Sequence, residues 1–242
     1  MKKIILTLCA VGVFIASHAQ TYNLKLNPVK DKVVPQQMTV DMNTNGAQIS
    51  LNIFTEIKNI AKRDTILDYE STIKEVTMQV DAGFMKMSYD SKNPGTDPFS
   101  TNMDKTMGQI VNKTIKSSLS EHGNVIDMQF PKEINNPVLD KNLFRNGNII
   151  LPYKPVAIGD SWTAVKVQDD MKYQSTNTLK EVTADYYGIE QNIEIFDSNG
   201  TPSGTLKGNY HLNKQTCETM SGLIDMLIKK EGVEISGKVT IK

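Results

Sequence analysis

The chain has 242 residues, with 27 Lys and Arg against 27 Asp and Glu. That balance leaves no electrostatic footprint for nucleic acid and no polybasic patch for an anionic membrane. Two cysteines, Cys9 and Cys217, cannot supply the disulfide framework that staples small secreted domains, so a packed core must hold the fold.

The first residues have the anatomy of a signal peptide. Lys2 and Lys3 form a positive start, and Ile4 to Ile15 is an apolar run too short for a membrane span. Ser17 and Ala19 place small residues at −3 and −1, which predicts cleavage between Ala19 and Gln20. The expected product is residues 20–242, 223 residues with Cys217 as the only cysteine, exported to the periplasm or secreted. Lipidation at Cys9 is disfavoured, because Leu8 rather than a small residue precedes it and the apolar run continues beyond. No later apolar run approaches the roughly 20 residues of a transmembrane helix.

Period-2 alternation then dominates. Tyr22, Leu24 and Leu26 alternate with polar neighbours, as do Met38, Val40 and Met42, then Ile49, Leu51 and Ile53. Val76, Met78 and Val80 follow, and then Met85, Met87 and Tyr89. Each set predicts a strand with one buried face. Asn45-Gly46 suits a hairpin turn, and Asp81-Ala82-Gly83 marks a second.

One helix interrupts the strands. Asp97 is a candidate N-cap and Pro98 fits the first helical position. Phe99, Met103, Met107, Ile110 and Val111 recur at helical spacing, which predicts an amphipathic helix from Pro98 to Lys113 laid on the sheet. Ile115, Ser117 and Leu119 begin a further hairpin that turns at Glu121 to Asn124 and returns through Val125 to Phe130. Residues 131–147 are ambiguous, with Val138 to Phe144 able to form one or two helical turns.

The stretch from Leu151 to Trp162 divides the chain into strand-rich halves, about 20–130 and 160–242. Pro152 and Pro155 hold an extended arm, Gly159-Asp160 turns, and Trp162 anchors a new strand through Ala164 and Val167. Met171 to Tyr187 is one polar stretch whose threonines and tyrosines favour strand, and strands follow over Ile189 to Phe196 and through Leu206, Tyr210 and Leu212. The run Leu223 to Ile228 is apolar at both parities, which predicts burial on both faces. Glu231-Gly232 turns into a last strand, Val233 to Ile241. The expected fold is mainly β: a curved antiparallel sheet, half-barrel or barrel-like, with one principal amphipathic helix packed on it.

Chemistry is sparse in this pattern. Gly159-Asp160-Ser161 resembles the start of the GDSL hydrolase signature, but Trp162 follows the serine. The matching Asp-x-x-His is also missing, since Leu119 and Gly208 stand three before His122 and His211. A serine without a positioned base is a weak nucleophile. His122 and His211 lack metal-ligand spacing and read as exposed strand or turn residues. Thioethers at Met85 and Met87 suit a soft metal, but no His or Cys is close in sequence. No enzyme activity, metal or cofactor is expected.

Methionine is the compositional oddity, with 12 in the chain. Methionine fills irregular gaps and lines adaptable binding surfaces. The candidate ligand cavity lies between helix and sheet, lined by Met85, Met87, Tyr89, Phe99, Met103, Met107 and Ile110. Gly159, Asp160 and Trp162 are its structural counterpart, an anchor rather than a site.

The opening Tyr22-Asn23-Leu24-Lys25-Leu26, the Met-rich strands and the block Lys154-Pro155-Val156-Ala157-Ile158-Gly159-Asp160-Ser161-Trp162 resemble an uncharacterised family of secreted β-rich proteins of Gram-negative bacteria, a domain of unknown function. That resemblance implies no activity. Strands curling over a short helix are also similar, at fold level, to envelope lipoprotein carriers of the LolA type, which implies a shelter for acyl chains. The expected function is an exported, non-enzymatic carrier of a lipid-like or other apolar ligand. The alternative is an envelope or secreted protein-interaction or structural domain with a filled core and no ligand, and a hydrolase is the remote alternative.

Overall fold

In a computed structural model, residues 20–44, 46–131, 149–168, 170–230 and 233–242 are described. The expected leader, Asn45, the turns within 138–144 and the Glu231-Gly232 turn lie outside them. Alternating sequence becomes strand almost everywhere. A two-residue β1 (Thr21–Tyr22) precedes β2 (Val33–Thr44), β3 (Ala47–Arg63), β4 (Ile66–Asp81) and β5 (Lys86–Asp90). Helix α1 (Pro98–Met107) and a 3-10 turn at Gly108–Ile110 lead to β6 (Thr114–Ser120) and β7 (Val125–Gln129). After the connection come β8 (Val156–Ala157), β9 (Ser161–Gln168), β10 (Met171–Val182) and β11 (Tyr186–Phe196). The chain ends on β12 (Pro202–Asn213), β13 (Thr219–Lys230) and β14 (Val233–Ile241).

Twelve of these strands form one curved antiparallel sheet that is not closed into a barrel, in the order β7-β6-β4-β3-β2-β14-β13-β12-β11-β10-β9, with β5 also on β4. Each half is a meander of neighbours, as short turns dictate. The halves join where the last strand pairs with β2, from Ile235 opposite Thr44 to Ile241 opposite Met38. The outer edges β7 and β9 are not hydrogen-bonded to each other, yet both border one cleft of about 320 Å³, lined by Asn124 to Met128 and Lys166 to Gln168. The sheet therefore curls until its edges face one another.

Register aligns the apolar parities of neighbouring strands on one face. Met38, Ile53, Val76 and Ile241 share one cross-strand row, and Val40, Leu51, Met78 and Val239 share the next. Bulges at Phe54/Thr55 and Asn59/Ala61 bend the long β3–β4 ribbon. Buried Asn59 fills the second, donating from Nδ2 to the carbonyls of Ala61 (3.2 Å) and Asp68 (3.0 Å). Glycine serves curvature at one place in particular. The Tyr210 ring lies over Gly208 and Gly222, where added Cβ atoms would sit 2.7 and 2.9 Å from ring carbons.

Two irregular segments cover this face at one end of the sheet. The arm after β1 inserts Leu24, fully buried, and bonds to both halves: Leu26 N to Glu121 O (2.8 Å) and Asn27 N to Thr216 O (2.9 Å). Its Tyr22-Leu24-Leu26 alternation holds for burial, but the only regular pairing is Thr21–Tyr22 with Val156–Ala157. The segment from Ile149 to Val156 bonds Leu151 N to His122 O (2.8 Å) and buries Ile149, Leu151 and Val156 beside Leu179, Ile189 and Leu212.

The structure departs from the sequence reading at several strands. Residues 171–187 are two strands, split by a turn in which the Thr183 hydroxyl accepts from the N–H groups of Asp185 and Tyr186. Lys166, not Val167, shares the inward parity of Trp162 and Ala164, and Val167 is 75% exposed. Strand β13 is not buried on both faces, since Leu223 and Leu227 are exposed.

Leu24→Ala should cost roughly 2–5 kcal/mol, because the arm cannot refill a site covered from both halves. Urea unfolding followed by near-ultraviolet circular dichroism checks this. A loss under about 1 kcal/mol would show that the arm does not close the core.

Candidate functional site

The candidate residues divide into three groups. Met87 and Tyr89 lie on the inward face of β5, opposite Val80 and Met78. Tyr89 is buried, and its hydroxyl donates to Asp104 Oδ1 at 3.1 Å, tying β5 to α1. Burial, with Asp104 alongside, pushes that hydroxyl up to about 12. Phe99, Met103 and Met107 are half-buried on α1. Met107 and Ile110 pack on Ile53, Ile73, Val76 and Ile115, so the space beneath this part of the helix is filled. Met85 falls outside β5, in the preceding turn, and is exposed.

Local chemistry explains where the helix begins and ends. Asp97 Oδ1 accepts from Ser100 N (3.0 Å), and Pro98 stands at the first position. The α-helix stops at Met107, short of the expected Lys113, because Gly108–Ile110 tightens into a 3-10 turn. Asn112 then adopts φ +58° and donates its N–H to Ile73 O at 2.7 Å. Bonding to the sheet replaces the continuation of the helix.

A cleft of about 840 Å³ lies at the end of the sheet opposite the covered core, bordered by strands β2, β3, β4, β5, β13 and β14. Met87 is the only candidate that borders it. Register puts Asp41, Ser50, Gln79, Ser88 and Lys238 in one row and Asn43, Gln48, Asp81 and Lys86 in another, all on the face opposite Met42 and Val80. Met42, Ile49, Val80 and Met87 also line this cleft, so it draws on both parities of these strands, and no residue of the helix borders it. Lys86 and Asp81 pair within it at 3.0 Å.

The inward face beside that cleft is apolar and only half-buried. Met42, Ile49, Val80 and Met87 make one row, and Met226 and Leu206 continue it across β13 and β12. The sequence marks Met42, Ile49 and Val80 as strand positions and gives no sign that they remain partly open. Further along the same face a buried polar chain replaces aliphatic packing. Tyr210 Oη donates to Gln191 Oε1 (3.2 Å), and Gln191 Nε2 donates to Asn177 Oδ1 (2.8 Å). Polar residues at inward positions are invisible to a hydrophobicity pattern.

The anchor is well ordered by hydrogen bonds. Gly159 has φ +93°, and its N–H reaches Leu179 O at 2.7 Å while Leu179 N reaches Asp160 O at 3.1 Å. Asp160 Oδ2 accepts from Ala157 N at 2.8 Å. Trp162 is half-buried against the main core cluster and donates from Nε1 to Ile150 O at 2.7 Å. Ser161 Oγ lies 2.8 Å from Thr178 Oγ1. His122 is buried against the Tyr153 ring, contrary to its expected exposure, whereas His211 is exposed against Tyr186. Burial pushes the Cys217 thiol up, away from the thiolate form a nucleophile needs. Among the described residues, no group of three or more His, Cys, Asp or Glu is placed to hold a metal, and no helix is long and apolar enough to cross a membrane.

The profile of a family of unknown function, DUF6263, matches residues 126–218, spanning β7 to β12 and the Gly159–Trp162 anchor. No curated protein matches the chain. The fold is similar to part of lipovitellin, in a structure concerned with lipid–protein interactions in that protein. Identity is 12%, with TM-score 0.58 over 88% of this chain. The chain spans only 25% of that lipovitellin chain. A DUF1329 family protein from Desulfovibrio piger is also similar at 9% identity, over 88% of this chain and 84% of that one, with a TM-score of 0.21 that is too low to compare folds.

Two outcomes follow from this geometry. Trp162→Phe keeps most of the packing but leaves Ile150 O without its donor, so it should cost about 1–2 kcal/mol in chemical denaturation, with Trp162→Ala costing more. Burial holds the Glu218 carboxyl above the usual carboxylate range, so folding favours its protonated form. The stability this confers is complete below the unfolded pKa and is lost as pH rises through the folded value. Glu218→Gln should therefore raise Tm more at about pH 7 than at about pH 4, measured by scanning calorimetry.

Proposed function

We propose that the chain is an exported, non-enzymatic binding or carrier module for a lipid-like or other apolar ligand, held on the inward face of the curved sheet. The observation that carries this reading is the apolar row Met42, Ile49, Val80 and Met87, half-buried where the covering arm and helix do not reach. Apolar surface left partly in water is a standing free-energy cost of about 25 cal/mol per Å², which an apolar ligand would remove. Methionines at both ends of the row suit a ligand of variable shape. The lipovitellin likeness supports the reading, since the structure of that protein concerns lipid–protein interactions and this chain resembles part of its fold. The leader-like Lys2 to Ala19 segment supports export. Ser161 bonded to Thr178, with each histidine set against a tyrosine ring, supports a non-enzymatic role.

One observation favours a second reading, a protein-interaction domain without a ligand. The helix covers a filled core, with Met107 and Ile110 packed among Ile53, Val76 and Ile115.

An environment-sensitive fatty-acid probe separates the two. The carrier reading expects saturable uptake by the wild type, and roughly tenfold weaker uptake in the shape-conserving double variant Met42→Gln, Met87→Gln. Native mass spectrometry of protein from its own host should show co-purified lipid. No uptake by the wild type would leave the interaction domain standing. Met107→Ala should lower stability by about 2 kcal/mol with uptake unchanged, since it sits in the filled part.

A further inference from the structure

Among the described residues the most exposed large apolar side chain is Phe84, 91% accessible, next to Met85 at 44%. Both sit in the turn between β4 and β5, beside the half-buried inward row. Sequence periodicity gives Phe84 no role. The available signal is an aromatic directly after a turn glycine, where turn chemistry favours polar residues.

The turn is built to hold that aromatic outward. Asp81 Oδ1 accepts from Gly83 N (2.9 Å), Ala82 N donates to Met85 O (3.0 Å), and Phe84 N donates to Ala82 O (2.9 Å). Gly83 takes φ +78° and would meet nothing within 4 Å even with a Cβ, so the tip stands clear of the rest of the protein. At its base Lys86 is neutralised by Asp81. With the Ala82, Gly83 and Phe84 N–H groups bonded internally, the tip can enter a low-polarity phase without stranding those donors.

We propose that the Phe84–Met85 tip is a membrane-docking finger that inserts into the interfacial region of a phospholipid bilayer. A bilayer fits the geometry better than a protein pocket. Protein hot spots are ringed by contacts that exclude water, whereas Phe84, with exposed Met85 beside it, stands 91% accessible. Aromatic rings partition to the headgroup level of a bilayer without needing a shaped partner. From the tip, Met87 and Val80 lead directly onto the apolar row, so a docked finger would align that row with the source of an acyl chain. This last step rests on the carrier reading; the docking itself does not.

The test is flotation of the exported protein with large unilamellar phosphatidylcholine vesicles, beside fatty-acid probe uptake without vesicles. Docking by the finger expects the wild type to float with vesicles and Phe84→Ser to lose roughly tenfold in partition, with an unchanged melting temperature. Partition should be nearly the same at low and high salt, since the contact is apolar. Phe84→Trp should restore it, with a blue-shifted emission on adding vesicles. Absent flotation of the wild type, or flotation of Phe84→Ser equal to it, would overturn the proposal, as would Phe84 proving to bind only a protein partner. Flotation without probe uptake keeps the finger and removes the carrier; uptake without flotation does the reverse.

Discussion

A sheet of twelve strands presents far more apolar face than a ten-residue helix can cover. Every other feature answers that imbalance. The sheet curls until β7 and β9 face each other, which lets the apolar face cover part of itself. The arm at Leu24 and the segment through Leu151 close one end, each bonded to both halves. The helix and its 3-10 extension fill the space over Ile53 and Val76. Along the C-terminal half a buried chain of Tyr210, Gln191 and Asn177 makes part of the face polar, with its donors and acceptors satisfied from strand to strand. What remains is the row at Met42 and Met87.

The two faces at that remaining end differ in kind. One carries the apolar row, the other amides, hydroxyls and paired charges, and residues of both line the wide cleft. Only a backbone separates them, because successive residues of each strand point to opposite sides. An amphipathic molecule arriving there would meet both chemistries within one strand thickness, and the Phe84 turn stands at their common rim.

Much of this architecture is legible in the sequence where one residue reports on one local constraint. Alternation from Met38 to Met42 and from Ile49 to Ile53 gives strands with the correct inward parity, and Asp97-Pro98 marks the helix start. The failures share a cause: a partner distant in sequence decides the outcome. Lys166 turns inward and Val167 outward because Trp162 has already set the parity of β9. Leu223 and Leu227, on the parity opposite Ile224 and Met226, stay exposed because no second layer among the described residues covers that face of β13. The helix stops early because Ile73, on another strand, takes the Asn112 N–H. The candidate site suffers most, since a half-buried row and a filled one have the same pattern. Only the extent of the covering segments tells Met87 from Met107.

The pairing of β14 with β2 carries a consequence in time. β2 is made long before β14, so β2 keeps one naked edge until β14 has been synthesised. Contacts between residues this far apart form slowly, because loop-closure entropy precedes their reward. Until then the edge of β2 is a template for any other unfinished copy. A chain that leaves the cytoplasm before it folds never presents that edge in the crowded compartment where it was made. For this topology, export in the unfolded state would be protection as well as delivery.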